Sequence, residues 1–224
     1  SLFMDSMQMF LDDLRREQER LFGEQNPETK QEIKRHIDKI IDDVIRAKLT
    51  KDDNADGLKK YKESLKEKTK LYFLWKLEFA KVFRDNGGFD VVIGNPPYVQ
   101  ISKDSQATDQ YKEYLKRRFG TSGGRLNLFI FMMHLGTEIL CEGGTLAYII
   151  PNTILTQEYY VDTRKLILDD CTLKVIVDYQ NMPFDNAIVE NVTLIYSKIK
   201  LKDYSVKILK GVTDAVSEYK MIPV

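Results

Sequence analysis

The run Phe89-Asp90-Val91-Val92-Ile93-Gly94-Asn95-Pro96-Pro97-Tyr98 sets a short apolar stretch against a rigid loop. Asp90 to Gly94 is β-branched and ends in a turn residue, the pattern of a buried parallel strand. The two prolines have fixed φ and no N–H, so the loop is stiff and its carbonyls remain available as acceptors. A surface of acceptors beside the Tyr98 ring is expected at the strand's C-terminal end, where open α/β sheets bind ligands. Taken alone, Asn-Pro-Pro also suits a stiff turn with an asparagine cap and a packing tyrosine.

Downstream, strands and helices alternate. Leu126 to Cys141 reads as a helix, Gly143-Gly144 as a break, and Thr145 to Ile150 as another buried strand. A helix from about Glu158 to Leu168 leads to strands at Leu173 to Val177 and Val192 to Tyr196. Alternation with short connections predicts an α/β fold, a mostly parallel sheet with helices on both faces.

Upstream, charge is concentrated: residues 1 to 85 hold 37 of the 68 charged side chains. Phe3, Met7, Phe10 and Leu14 share one helical face, and Gly23 ends that helix. Asn26-Pro27-Glu28 supplies an N-cap, a proline at the first helical position and an early acid, and Ile33, Ile37, Ile40 and Val44 continue as a second stripe to about Lys48. After a polar turn from Asp52 to Gly57, Leu58, Tyr61, Leu65, Tyr72, Trp75, Phe79 and Val82 form a third stripe. Sustained heptads with ordered flanking charges are missing, which favours an antiparallel helical layer over a partner-binding coiled coil. Two regions result: helical residues 1–86, and residues 87–224 with the strands.

Composition narrows the function classes. The 34 basic and 34 acidic side chains balance, so an electropositive surface must be local. A hydrophobic content of 43% argues for a folded chain. Cys141 and Cys171 form no Cys-x-x-Cys or Cys/His cluster and read as reduced core thiols of a cytoplasmic protein without a metal site. His36 and His134 are lone histidines on apolar stripes, better suited to core or surface than to ligation. The most apolar stretch, Leu126 to Gly136, is too short to span a membrane, and no signal peptide is seen.

From about Leu71 to Lys198 the chain resembles the N6-adenine DNA methyltransferases that use S-adenosylmethionine, in the branch found in type IIG restriction-modification enzymes. The resemblance rests on the Trp75 to Phe83 lead-in, the Asn95-Pro96-Pro97-Tyr98 loop, Asn127-Leu128-Phe129-Ile130-Phe131, Gly143 through Asn152, and Phe184-Asp185-Asn186-Ala187. It implies a Rossmann-like domain acting on double-stranded DNA, with the target adenine flipped into the pocket. Asn95 Oδ1 and the Pro96 carbonyl would accept the two N6 hydrogens, with Pro97 completing the rigid catalytic loop. Tyr98 would stack on the base, its ring mattering more than its hydroxyl, and Phe184 would be the second aromatic against that base.

One departure from the family pattern is large. No Gly-x-Gly occurs anywhere, and the segment before the first strand is helical. The expectation is the C-terminal half of a methyltransferase domain cut from a longer polypeptide, inactive alone, whose cofactor-binding N-terminal half and target-recognition domain lie elsewhere. Lys112, Lys116, Arg117, Arg118 and Arg125, interleaved with aromatics, are candidates for gripping DNA phosphates, although a solvated helix face explains them equally well. Two other readings stay open: a methyltransferase acting on protein glutamine or RNA guanine, which share Asn-Pro-Pro-Tyr, and a non-catalytic assembly module of a restriction system.

Overall fold

The computed structural model describes residues 2–66, 73–101, 109–119, 126–179, 190–210 and 218–223. The chain divides into two units, Ser1–Asp85 and Asn86–Val224.

The first unit is helical: α1 (Leu2–Gly23), α2 (Pro27–Lys51), α3 (Ala55–Ser64), α4 (Trp75–Glu78) and α5 (Ala80–Asn86), the last running one residue past the boundary. Asn26 caps α2, its Oδ1 accepting from the N–H groups of Glu28 (2.8 Å) and Thr29 (3.2 Å). The α1 and α2 stripes meet in a core of Leu14, Ile33, Ile37, Ile40, Ile41 and Val44, with Ala80 added from α5. Gln18 of α1 donates to the carbonyls of Leu77 and Glu78, satisfying the end of α4. Asp42 of α2 accepts from Arg46 and from the Tyr61 hydroxyl of α3.

The third stripe is not one helix. Gly57 lies inside α3, Leu65 is exposed, and Phe79 separates α4 from α5 with φ −124°. Trp75 stacks on Phe79 across the short α4 turn (centroids 6.0 Å). Tyr72 lies outside the described residues.

The second unit contains β1 (Phe89–Gly94), α6 (Asp109–Phe119), α7 (Leu128–Ile139), β2 (Leu140–Pro151), α8 (Val161–Asp170), β3 (Thr172–Asp178), β4 (Asn191–Ser197), β5 (Ser205–Lys210) and β6 (Glu218–Pro223). The six strands form one sheet in the order β1-β2-β4-β3-β5-β6. Its parallel pairs are β1 with β2 and β3 with β5; β4 runs antiparallel to β2 and β3, and β6 antiparallel to β5. The sheet is therefore mixed, which corrects the mostly parallel arrangement expected from sequence. The apolar run at Val192 fits either direction; in the sheet β4 lies between β2 and β3 and runs antiparallel to both.

Leu146, Tyr148, Ile150, Val192, Leu194 and Tyr196 line one sheet face and pack against Phe129, Ile130 and Met133 of α7 and Ile167 of α8. On the other face Val91 is 59% and Ile93 74% exposed. The expected cover on both faces is thus not met at β1, and this strand is not buried: among the described residues it pairs with β2 alone.

Gly143-Gly144 does not break the chain but bulges β2. Partners change from Phe89↔Leu140 to Val91↔Thr145, so four residues of β2 stand against one of β1. Gly143 adopts φ +77°, and a Cβ on Gly144 would lie 2.8 Å from the Phe89 carbonyl oxygen.

Candidate functional site

The C-terminal end of β1 places Asn95 to Tyr98 at one edge of the sheet. The neighbouring edge segments are the ends of β2 and β3 and the start of antiparallel β4; Gly94 pairs with Tyr148, and Thr193 lies between Ile149 and Val177. Asn95 and Pro97 are exposed, while Pro96 is buried and anchors the loop between them. Among the described residues, neither Asn95 Oδ1 nor the Pro96 carbonyl accepts a hydrogen bond. Two acceptors are thus presented on a loop whose φ angles the prolines fix.

The flanks of this loop are tied down. The Tyr98 hydroxyl donates to the Ile149 carbonyl (2.9 Å), and its half-buried ring meets Phe129 edge-on (centroids 6.4 Å). Beyond it, Ile101 N–H donates to the Leu126 carbonyl (2.8 Å) and Leu128 N–H to the Val99 carbonyl (2.9 Å), a short ladder leading into α7. Asn127 caps α7 through Oδ1 and the Phe129 N–H (3.3 Å). The sequence reading missed this anchoring role of the Tyr98 hydroxyl, because its acceptor lies 51 residues away.

Burial raises the Tyr98 phenol above its ordinary range, and the neighbouring Tyr179 adds to the effect, so Tyr98 is a donor at neutral pH and not a base. The Tyr179 hydroxyl itself pairs with Thr193 Oγ1 (2.8 Å). On the β2 side, Asn152 joins the start of β4 through two bonds, its N–H to the Glu190 carbonyl (2.9 Å) and its Nδ2 to Glu190 Oε2 (2.6 Å). Arg164 braces the turn after β2 by donating to the carbonyls of Ile154 and Gln157. These partners, like the Tyr98 acceptor, carry no local motif.

The candidate phosphate-gripping residues are dispersed in role. Lys112 pairs with Asp109 (3.3 Å), Lys116 with Glu113 (3.1 Å) and Arg118 with Glu138 of α7, whereas Arg117 is exposed without a carboxylate partner among the described residues. Phe184 and Arg125 lie outside the described residues. The lone histidines have ordinary surroundings: His134 Nε2 lies 3.1 Å from Thr163 Oγ1, and burial pushes its pKa down; exposed His36 sits 3.4 Å from Glu17. Among the described residues no group of His, Cys, Asp or Glu could hold a metal ion, and no helix is long and apolar enough to cross a membrane. Both cysteines are free; Cys171 is buried, but Cys141 is only half-buried and so is not the core thiol expected.

The edge can therefore hold a hydrogen-bond donor against two fixed acceptors, without a titrating base. The chain is similar to a protein of Methanocaldococcus jannaschii described as a type II restriction enzyme and methyltransferase, RM.MjaORFECS2P, at 30% identity over 149 residues, 66% of this chain and 12% of that protein. Over 151 residues, 67% of this chain and 25% of the relative, it is 27% identical to the type II methyltransferase M.BstVI of Geobacillus stearothermophilus. The chain thus spans an eighth to a quarter of the length of these relatives. The type IIG restriction endonuclease BpuSI superposes on 60% of this chain and 19% of its own, with 16% identity and a TM-score of 0.45. Residues 5–184, including the Asn95 loop and the first three of the six strands, match the family model itself, and the chain belongs to the Eco57I restriction-modification methylase family.

Proposed function

We propose that these residues are the target-base part of a DNA methyltransferase that methylates adenine N6, within a longer restriction-modification polypeptide acting on double-stranded DNA. The observation that carries this reading is the pair of acceptors, Asn95 Oδ1 and the Pro96 carbonyl, unengaged among the described residues, on a braced loop at the sheet edge. An exocyclic amine has two N–H donors and a lone pair conjugated with its ring. Two acceptors at fixed positions draw the hydrogens to one side, favour tetrahedral nitrogen and aim the lone pair away from the loop. Such positioning and electrostatics act without a covalent intermediate. Tyr98 provides a ring beside that position, held by its bond to Ile149, and in this reading Phe184, outside the described residues, would supply the second aromatic against the base. Family membership supports DNA over protein glutamine or RNA guanine.

The loop suits the methyl acceptor and not the donor. The carboxylate of a methionine-type donor needs N–H donors from a turn, and here Pro96 and Pro97 have none. S-adenosylmethionine is the donor in this reading, and the strands that hold it, like the target-recognition domain, belong to other parts of the polypeptide. The edge of β1, unpaired among the described residues, supports that assignment.

Asn95→Ala in the longer protein tests the reading. Losing one well-placed acceptor should lower methylation about 10²- to 10³-fold with the melting temperature unchanged. A rate within twofold of the parent would make Asn95 a turn residue only; an intact complex with another restriction subunit would then favour the assembly module. The isolated chain should bind S-adenosylmethionine weakly, and micromolar affinity by calorimetry would refute the assignment of the cofactor site to other segments.

A further inference from the structure

The exposed face of α6 has a composition that its ion pairs make visible. Both carboxylates of this helix, Asp109 and Glu113, are neutralised by lysines one turn away, and Arg118 is bound by Glu138. Among the described residues Arg117 is left as a surplus positive charge. Three residues before it on the helix, and so its neighbour on the surface, stands Tyr114, 49% exposed. One turn further back is Tyr111, 47% exposed, its ring plane within 21° of that of Tyr114 and its centroid 6.4 Å away.

The opposite face of α6 is fixed. Leu115 packs with Leu126 and Phe131, and Ile101 and Phe119 rest on the same cluster. Ile101 ends the ladder that begins just after Tyr98, so α6 is fastened to the segment that carries Asn95. The face therefore combines two near-parallel aromatic rings with a guanidinium that has no carboxylate partner among the described residues, close in the chain to the proposed base pocket.

We propose that this face of α6 is a stacking platform for unpaired bases of a DNA strand, with Tyr111 and Tyr114 taking base faces and Arg117 a neighbouring phosphate. The proposal rests on the reading above and adds where bases beside the opened position are held. Base–aromatic stacking needs no shaped groove and tolerates any sequence, and a surplus cation beside the rings complements a phosphate chain. A closed duplex offers no free base faces; a strand opened to extrude a base does.

The test uses this 224-residue chain and a fluorescein-labelled single strand of about 12 nucleotides, compared by anisotropy with a blunt duplex of the same sequence. The single strand should bind more tightly than the duplex. Tyr111→Ala with Tyr114→Ala should weaken single-strand binding about 10- to 100-fold, and Phe at both positions less than about threefold. Arg117→Gln should make the logarithmic salt dependence shallower by about 0.7, whereas Lys165→Gln, an exposed lysine of α8, should not change it. Unchanged single-strand affinity in the double alanine variant, with circular dichroism intact, overturns the proposal, as does no binding by the parent chain up to about 1 mM. Self-association that the double variant abolishes, with strand affinity unchanged, assigns the face to a second copy and overturns it equally. No methyl is transferred in this assay, so its failure leaves the adenine reading standing, to be judged separately by Asn95→Ala in the longer protein.

Discussion

Tyr98→Phe removes a single oxygen and keeps the ring against Phe129. The lost bond, Tyr98 Oη to the Ile149 carbonyl at 2.9 Å, joins the loop to the end of β2 in a half-buried setting. A neutral hydrogen bond of this kind contributes about 0.5–1.5 kcal/mol net, so a loss of about 1 kcal/mol is expected. That is roughly 2–6 °C in melting temperature for a unit of this size. If the same energy is lost from the ordering of Asn95 and Pro96, methylation by the longer protein falls by up to about fivefold. Tyr98→Ala, which also gives up half-buried ring contacts, should cost roughly 2–3 kcal/mol. The pH dependence supplies an independent check. The phenol's folded pKa is raised above its unfolded value of about 10, so its stabilisation is fully present below that value and is lost as pH rises through the folded pKa. Urea titrations of parent and Tyr98→Phe should differ by a constant amount between about pH 6 and 9 and converge above about 10. A difference under about 0.3 kcal/mol at neutral pH, with an unchanged methylation rate, would show that the hydroxyl is not part of the brace.

The β2 bulge makes an ordered prediction: Gly144→Ala, whose Cβ would meet backbone oxygens at 2.8 and 3.0 Å, should destabilise by about 2–3 kcal/mol, more than Gly143→Ala, which has open space and carries only the cost of φ +77°, about 1 kcal/mol. Urea midpoints for the two variants should fall in that order, and the reverse order would refute the bulge. Burial pushes the Cys171 thiol up to about 11, so a thiol reagent at pH 8 should label one cysteine in the native chain, Cys141, and two in denaturant. Asn26→Ala removes the acceptor for two N–H groups at the start of α2 and should cost about 1 kcal/mol, seen as reduced helical signal or earlier thermal melting.

What sequence disclosed and what it concealed follow from the range of the interactions involved. The start of α2 was readable because Asn26, Pro27 and Glu28 act within one turn. The third stripe misled because apolar spacing continues from Trp75 through Phe79 to Val82 although the backbone does not remain helical at Phe79. Gly143-Gly144 has the same composition as a bulge or as a break, and only the partner strand distinguishes them. Ser205-Val206-Lys207-Ile208 alternates as a strand should, so β5 carries a local signal of its own. In the site, the acceptor loop was legible from residue chemistry alone. Its braces were not, since Tyr98 finds Ile149, and Asn152 finds Glu190, only across the folded sheet. The basic residues of α6 show the same limit: Glu138, which engages Arg118, is twenty positions away.

The first strand is where local sequence and observed surroundings disagree, and the disagreement is informative. Val91-Val92-Ile93 has the composition of a strand buried on both faces, yet only Val92 faces the core; Val91 and Ile93 are largely exposed, and one edge is unpaired among the described residues. Proteins that keep a true edge strand usually protect it with charge, proline or a covering element. Here the proline pair comes after the strand, where it stiffens the acceptor loop instead of guarding the edge. The Gly143 bulge lies in β2, on the paired side. Apart from the exposed Asp90, the edge adjoining the Asn95 loop is apolar and, among the described residues, unpaired; in the proposed reading it is where further strands of the same sheet would bring a methyl donor within reach of the amine.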